Sequence, residues 1–247
     1  MNAKQWIVTV LMSCAAGVTW AEPADESVPG AEQVLNAFLS AVGEISGYEA
    51  VLTKRQRIDK ELQEEESIQM KHRRSPDCRY MVWLPGPSEG REMIYCPERY
   101  EGKIKVHQPG MFGWTMTLDP NGSMIKRSGN LRPAHKGGLF NMANTLRQTV
   151  QAGGEGSKLR ASVEQRQYLG QAVNCVLPEG EAVNLQDAPY PVGKRELCVY
   201  QASGLPAHMR LWHEDGRLME EYGFQSYTLN PNLSDADFDV DNQSYDF

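Results

Sequence analysis

The stretch 78–96, CRYMVWLPGPSEGREMIYC, has a Pro- and Gly-rich centre, two apolar arms and a cysteine at each end. If the chain turns around Pro87, the two arms pair as an antiparallel hairpin with Cys78 opposite Cys96. Directly opposed residues in such a pair have Cβ atoms about 4.5–5.5 Å apart, which is close to the distance that a disulfide requires. The stretch therefore predicts a β-hairpin that is stapled at its open end by a Cys78–Cys96 disulfide.

The arms of this hairpin are apolar on both faces. Strand alternation puts Tyr80, Val82, Leu84 and Ile94 on one face, and Met81, Trp83, Met93 and Tyr95 on the other. A sheet with one solvated face would carry polar side chains on that face. Two explanations remain. Either protein covers both faces, or one face lines an apolar cavity whose methionine and aromatic walls adapt to an acyl chain or a lipidated partner.

The other cysteines predict a second staple. The chain has five cysteines, of which Cys14 lies in the N-terminal apolar run, and the remaining four allow three connectivities. Cys175 and Cys198 lie in two strand-like runs, AVNCVL and KRELCVYQ, on either side of the connection 178–193, so we expect them to pair. Each disulfide would stabilise the fold by about 3 kcal/mol through loop entropy. The sequence has no C-x-x-C motif and no Cys/His cluster at zinc spacing, so it predicts no metal site and no cofactor.

The N-terminal segment predicts export. A single Lys4 precedes an apolar run that reaches about Trp20, and Thr19 and Ala21 put small residues near a cut before Glu22. This pattern is typical of a signal peptide over residues 1–21, and we expect a periplasmic protein. Leu11–Cys14 also resembles the lipobox of bacterial lipoproteins, so lipidation at Cys14 is the alternative. Residues 22–247 are long enough for one domain with a substantial core.

Charge and motifs exclude several classes of function. The formal net charge of −7 disfavours nucleic-acid binding, because an acidic surface repels phosphates. The short basic run 71–74, KHRR, is predicted to be a solvated strand end. The sequence has no G-x-S-x-G, H-E-x-x-H, phosphate-loop or dinucleotide motif. His208 and His213 would point to opposite faces of a strand, which is wrong for a shared metal. The sequence therefore predicts a protein that is not an enzyme.

Two further groups of charged residues have structural interpretations. Arg91 and Glu92 are predicted to form pairs across strands. The tail 235–241, DADFDVD, spaces its aspartates two apart, like the first ligands of a calcium loop. It lacks the glycine at the sixth position and the glutamate at the twelfth. A solvated acidic turn that caps the last strand is therefore expected.

Apolar periodicity predicts two helices. Between Gly30 and about Gly47, apolar residues recur three and four positions apart, which indicates an amphipathic helix with one apolar stripe. A second helical pattern covers residues 138–152. It follows the Pro- and Gly-containing segment SGNLRPAHKGG, which would let it move as a lid.

Most of the remaining chain reads as strands joined by turns. Asn121-Gly122 predicts one hairpin, with SMIKR as its second strand, and Asp215-Gly216 predicts another, with Trp212 opposite Met219. Consecutive strands with short connections are expected to pair in order. The pattern therefore predicts an α+β fold, in which a curved antiparallel sheet, an incomplete and open β-barrel, wraps around an N-terminal helix and an inserted helical lid.

Several segments resemble an uncharacterised family of exported bacterial proteins, defined only as a domain of unknown function. The resemblance covers about residues 31–245, and its most specific pieces are Tyr48 with Lys54 and Arg55, Trp83, Gly90-Arg91-Glu92, and the sequence DADFD of Asp235–Asp239. That family in turn resembles LolA-like proteins, whose fold is an open antiparallel β-barrel with helices as a lid. The resemblance implies transport of lipids or lipoproteins across the periplasm, or sensing of mislocalised envelope components.

The functional hypothesis is a periplasmic, non-enzymatic protein that holds an acyl chain, a lipid or a lipoprotein anchor in an apolar cavity. The alternative is an envelope-stress sensor or assembly factor whose main partner is a protein. The candidate cavity-lining residues are Leu52, Met70, Tyr80, Val82, Leu84, Ile94, Leu139, Phe140, Leu146, Met209, Leu211 and Tyr222. The expected partners are a lipid, an acyl chain or a lipidated protein, with an envelope protein as a further candidate, and not nucleic acid.

Overall fold

The computed structural model describes residues 28–110, 113–126, 130–152, 160–180 and 188–247. The predicted signal peptide, Cys14 and part of the 178–193 connection lie outside these ranges. Within them, no helix is both long enough and apolar enough to cross a bilayer.

The described chain contains three α-helices, two short 3₁₀-helices and twelve strands. The helices are α1 (Ala31–Gly43), α2 (Ser123–Lys126) and α3 (Leu139–Ala152), with 3₁₀ turns at Ala134–Lys136 and Asp235–Phe238. The strands are β1 (Gly47–Ile58), β2 (Glu61–Leu62), β3 (Glu66–Arg73), β4 (Cys78–Trp83), β5 (Glu92–Tyr95), β6 (Ile104–Gln108), β7 (Trp114–Leu118), β8 (Ala161–Tyr168), β9 (Gln171–Pro178), β10 (Val192–Tyr200), β11 (Pro206–His213) and β12 (Leu218–Leu229).

The strands form one antiparallel sheet that does not close into a barrel. Its order is β7-β6-β5-β4-β3-β1-β12-β11-β10-β9-β8, and β2 pairs with β1 outside this path. Strands that follow each other in sequence pair in order within each half of the sheet. The halves join where β1 pairs with β12, from Tyr48 opposite Leu229 to Gln56 opposite Glu220. The open curved sheet with an N-terminal and an inserted helix confirms the predicted fold class.

The predicted hairpins are largely confirmed. Tyr80 lies opposite Ile94 in the stapled hairpin, and both disulfides, Cys78–Cys96 and Cys175–Cys198, are present. The Asp215-Gly216 hairpin places Arg210 opposite Glu221, but Trp212 lies opposite Leu218 and not Met219, because the register shifts between Leu211 and Trp212. The segment SMIKR is also not a strand: residues 123–126 form the short helix α2.

One face of the sheet packs against both long helices. From α1, Phe38 and Val42 are almost fully buried in this core, and from α3, Leu139 and Ala143 are fully buried. On β3 and β4 the buried apolar residues of this core alternate along the strand, with Ile68 and Met70 on one and Met81 and Trp83 on the other.

The opposite, outer face of the stapled hairpin is covered by the C-terminal strap, residues 230–247. Phe238 is fully buried among Cys78, Cys96 and Ile94, and the ring of Tyr245 stacks on Tyr80 with a centroid distance of 3.9 Å. Both faces of the hairpin are therefore covered by protein.

The strap is held by ion pairs with the basic residues beneath it. Lys71 binds Asp237 at 2.8 Å, Arg73 binds Asp235 at 2.7 Å, and Arg99 binds Asp239. These contacts correct two predictions. The KHRR run is not a solvated strand end, and the acidic tail is an ion-paired cover more than a solvated turn, because the alternate side chains of β3 point towards it.

Candidate functional site

The helix-facing surface of the sheet contains a row of methionines. Met70, Met81 and Met93 lie opposite one another on three adjacent strands, and the row continues through Val106 to Met116 on the edge strand. The first three are at most 4% exposed. We call these five residues the methionine row. Thioether side chains are flexible and polarisable, so the row is a surface that can repack around different apolar shapes.

The helix α3, called the lid helix here, lies over the same apolar core. Its residues Leu139, Phe140 and Ala143 are buried in that core, and Met142 and Leu146, further along the helix, pack against it while partly exposed. Arg74 joins the two long helices. Its guanidinium donates to the carbonyls of Val42 and Ile45 at the end of α1 and lies 4.3 Å from the centre of the Phe140 ring.

The N-terminal end of the lid helix is anchored by buried polar groups, which we call the hinge cluster: Tyr48, His72, Asp77 and Arg79. The backbone N–H of Leu139 donates to Tyr48 Oη at 3.0 Å, and Tyr48 Oη lies 3.1 Å from His72 Nδ1. His72 Nε2 lies 3.0 Å from Asp77 Oδ1. Arg79 Nε donates to the same His72 Nε2 at 2.9 Å, so His72 contacts the other three members of the cluster.

Arg79 ties the segment before the lid helix to the sheet. Its Nη1 donates to the carbonyl of His135 and, at 3.3 Å, to that of Gly137, while Nη2 donates to Asp77 Oδ2 at 3.0 Å. The arginine side chain is 4% exposed, so its charge must be compensated locally, and Asp77 supplies the compensation.

Burial and these charges shift the pKa values of the hinge cluster. Burial, followed by the positive charge of Arg79, lowers the pKa of His72 to about 4, although Asp77 acts in the opposite direction. Burial would raise the pKa of Asp77, but its hydrogen bonds to His72 and the charge of Arg79 lower it below its ordinary value. Burial raises the pKa of Tyr48 far above its ordinary value. At neutral pH the cluster thus contains a neutral His72 beside an Arg79–Asp77 ion pair.

Gly138 is the backbone link between the hinge cluster and the lid helix. Its φ is +94°, and a Cβ atom there would lie 2.6 Å from Tyr48 Oη and 2.9 Å from His72 Nδ1. Glycine is therefore required both by the left-handed backbone and by the close approach of these side chains.

A second polar group, the latch, consists of Glu220, Arg132, Tyr190 and Tyr222. Glu220 is fully buried and accepts hydrogen bonds from Arg132 Nε at 2.8 Å, Tyr190 Oη at 2.5 Å and Tyr222 Oη at 2.6 Å. Burial, and then the charge of Glu220, raises the pKa of both tyrosines. The latch holds two segments against β12: the one that leads to the lid helix and the one that leads to β10.

Two concavities border the helices in the described part of the chain. One, of about 390 Å³, lies between α1 and the turn from β10 to β11. The other, of about 340 Å³, lies at the hinge end of the lid helix. Three members of the methionine row, Met70, Met81 and Met93, are covered by protein, because they are at most 4% exposed and belong to the core under the helices. At these three positions the described residues thus show packed core where the sequence predicted the wall of a hollow.

A family model for proteins of unknown function, DUF1571, matches residues 45–247. The chain belongs to the DUF1571 family. The match covers the whole sheet, the lid helix and the strap, so these features lie within the family domain of this DUF1571 protein. No functionally curated protein matches the sequence.

Solved structures resemble the fold of the DUF1571 protein at low sequence identity. A crystal structure of MucB aligns with 85% of this chain and 62% of MucB, with 12% identity and a TM-score of 0.50. The complex of Pseudomonas aeruginosa MucA and MucB aligns with 84% of this chain and 60% of that chain, with 12% identity and a TM-score of 0.47. A LolA superfamily protein from Nitrosomonas europaea aligns with 86% of this chain and 99% of its own, with 12% identity and a TM-score of 0.37. The chain spans about three-fifths of MucB, and similarity at this level concerns the fold alone.

The predicted cavity-lining residues do not lie together in the structure but in several different parts of the molecule. Leu52, Met70, Leu139, Phe140 and Leu146 belong to the core under the helices. Met209 and Leu211 pack with Val192 and Tyr190, and Tyr222 belongs to the latch. Tyr80, Val82 and Ile94 face the strap on the other side of the sheet, and Leu84 lies half-buried beyond the end of β4. The structure thus corrects the prediction of a single lining, because the helices cover the face of the stapled hairpin that carries Met81 and Met93.

Several residues of the site were not singled out from the sequence. His72, Arg79 and Glu220 each share strand parity with buried apolar neighbours, which is the signal that could have found them. A charged side chain at such a position needs a buried partner. Arg91 donates to Gln108 across the strand pair as predicted, whereas Glu92 accepts from the backbone N–H of Asp246 in the strap.

Proposed function

We propose that this protein is an exported, non-enzymatic binding protein that holds an acyl chain between the methionine row and the lid helix. The methionine row under a helix with a polar anchor at one end is the observation that carries the proposal. Its flexible side chains would adapt to an acyl chain. The predicted signal peptide supports action in the periplasm.

The proposal requires the lid helix to move. Burial of an acyl chain contributes about 0.8 kcal/mol per methylene, so roughly twelve buried methylenes would contribute about 10 kcal/mol. Exposure of Met142 and Leu146 to water, as they leave the core, opposes this gain. The hinge cluster keeps the N-terminal end of the helix attached, so opening would be a rotation about the segment that ends at Gly138.

Two measurements test the proposal. Protein purified from an exporting bacterium should carry lipid that is detectable by native mass spectrometry and solvent extraction, and delipidated protein should take up a fluorescent fatty acid. Met116→Lys places a charge at the open end of the methionine row and should weaken uptake at least tenfold. Thr115→Lys, on the opposite face of the same strand, should leave it unchanged. Repeated preparations without lipid and without uptake would refute the proposal.

A second candidate function is binding of a protein segment, as in an envelope sensor or assembly factor. Trp114, on the edge strand β7, is 58% exposed, and Met124, in the helix α2 that follows this strand, is 57% exposed. An edge strand with an exposed aromatic side chain can accept an additional strand from a partner. Recovery of one envelope protein that Trp114→Ala abolishes, with no lipid bound, would favour this candidate over the carrier.

A further inference from the structure

The concavity at the hinge end of the lid helix is polar and lies beside the apolar core. Its walls include Arg79 and Tyr95 from the sheet and Asn121 from the segment after β7. The 3₁₀ turn Ala134–Lys136 adds His135 and Lys136, and the first turn of the lid helix adds Asn141. Its volume is about 340 Å³, which is large enough for the polar end of a ligand.

Positive charge predominates on these walls. Arg79 and Lys136 are cationic, and the single carboxylate on the wall, Asp77, already accepts hydrogen bonds from Arg79 at both of its oxygens. Burial, and then the charges of Arg79 and Lys136, lowers the pKa of His135 to about 4. The two cations therefore set a positive potential where the His135 ring lies.

The concavity also offers hydrogen-bonding groups that the described residues leave unused. His135 is 7% exposed, and its Nδ1 has no hydrogen-bond partner among the described residues. The backbone N–H of Leu139, the first residue of the lid helix, is not among these groups, because it donates to Tyr48 Oη. The Lys136 side chain is exposed and can turn towards a ligand.

Tyr95 borders both the polar concavity and the apolar core under the helices. The Tyr95 ring lies 5.2 Å from the His135 ring, and the same side chain packs against the core under the helices. Tyr95 also lies opposite Ile104, and it shares its strand with Met93. A ligand with one polar and one apolar end could thus span both regions.

We propose that this concavity holds an anionic head group, a carboxylate or a phosphate, of the amphiphile whose chain lies beneath the lid helix; this inference rests on the proposed function. Lys136 supplies the charge that pairs with the anion, and His135 supplies one hydrogen bond. The head group then lies at the hinge, where the lid helix is fixed, and the chain extends under the part of the helix that moves.

The test compares palmitate with hexadecanol, which has the same chain length but no charge. Lys136→Gln should weaken palmitate binding about tenfold, the loss of one charge-assisted hydrogen bond, and leave hexadecanol binding unchanged. Lys60→Gln is the matched control, because it removes the same charge from an exposed turn at the far end of β1. Calorimetry with inorganic phosphate alone shows whether a free anion binds at the concavity.

The outcomes separate the two proposals. If Lys136→Gln weakens the binding of palmitate and of hexadecanol equally, or weakens neither, the head-group site is overturned while the carrier function stands. Binding of inorganic phosphate that depends on Lys136, together with palmitate binding that does not, would also overturn it. If the wild type binds neither palmitate nor hexadecanol, both proposals fail.

Discussion

Substitution of Gly138 by alanine should detach the lid helix from the hinge cluster. The new Cβ atom would meet Tyr48 Oη at 2.6 Å and His72 Nδ1 at 2.9 Å, and the backbone has a φ of +94°. A left-handed conformation costs a non-glycine residue about 1–2 kcal/mol, and disruption of a buried hydrogen bond costs about 1–3 kcal/mol more. We expect the free energy of unfolding to decrease by about 2–5 kcal/mol.

Gly102→Ala is the matched control, because Gly102 has a φ of +73° and a Cβ atom added there would meet no heavy atom within 4 Å. Gly102→Ala should decrease the free energy of unfolding only by the cost of the left-handed backbone, about 1–2 kcal/mol. Urea unfolding with the disulfides intact gives the two free energies, and hydrogen exchange reports the lid helix directly. Equal destabilisation by both substitutions, with unchanged exchange at Phe140 and Ala143, would refute the assignment of Gly138 as the hinge.

Three further predictions concern the latch, the strap and the pH dependence of stability. Glu220→Gln leaves the buried part of Arg132 without its counter-charge and should cost about 3–5 kcal/mol in urea unfolding. Phe238→Ala empties a fully buried site beneath the strap and should cost about 3–5 kcal/mol, with new protease sensitivity in residues 230–247. His72 has a folded pKa of about 4 against an ordinary 6.5, so the unfolded chain binds the proton more tightly. The contribution of His72 to stability should therefore be complete above about pH 6.5 and decrease towards pH 4, by on the order of 3 kcal/mol. His72→Gln should remove this contribution, while that of His135, whose pKa is lowered in the same way, remains.

Each of these predictions has a control and a result that contradicts it. Glu61→Gln, at an exposed position, should be neutral, and an equally small effect at Glu220 would exclude a buried latch. Leu169 is 57% exposed, so Leu169→Ala should cost little, and a similar value for Phe238→Ala would show that the strap is not packed. An unchanged pH profile in His72→Gln would show that His72 is not buried as a neutral group.

The parts of the fold that depend on residues close together in the sequence were predictable. The stapled hairpin is closed by a short turn, so the register that places Cys78 opposite Cys96 follows from counting outward from Pro87. Both long helices follow from apolar spacing. The error at Asn121-Gly122 has a local origin: the dipeptide predicted a two-stranded hairpin, but the chain after it forms the short helix α2, and among the described residues no strand follows β7 on its edge.

The sequence predicted that methionine and aromatic side chains form the candidate site. It did not predict how these side chains are arranged across the strands. The methionine row needs the register of four strand pairs, and no single strand contains more than one of its members. The hinge cluster and the latch depend on contacts between strands and the segment before the lid helix, such as Arg132 with Glu220. Strand alternation could have indicated that Glu220 is buried, but it could not have identified Arg132 as its partner.

The sequence by itself determined the elements and the disulfide staples, because turn geometry, apolar periodicity and cysteine spacing act over about twenty residues or fewer. The tertiary structure decided which strands pair across the sheet and which segments cover each of its faces. It pairs β1 with β12, whose residues Tyr48 and Leu229 stand near opposite ends of the described chain, and it places the strap, not the helices, over Tyr80 and Ile94. The physical reason is that both faces of the stapled hairpin are apolar, so either could be buried by the helices. The choice between them is made by contacts that form when distant segments of the chain pack together.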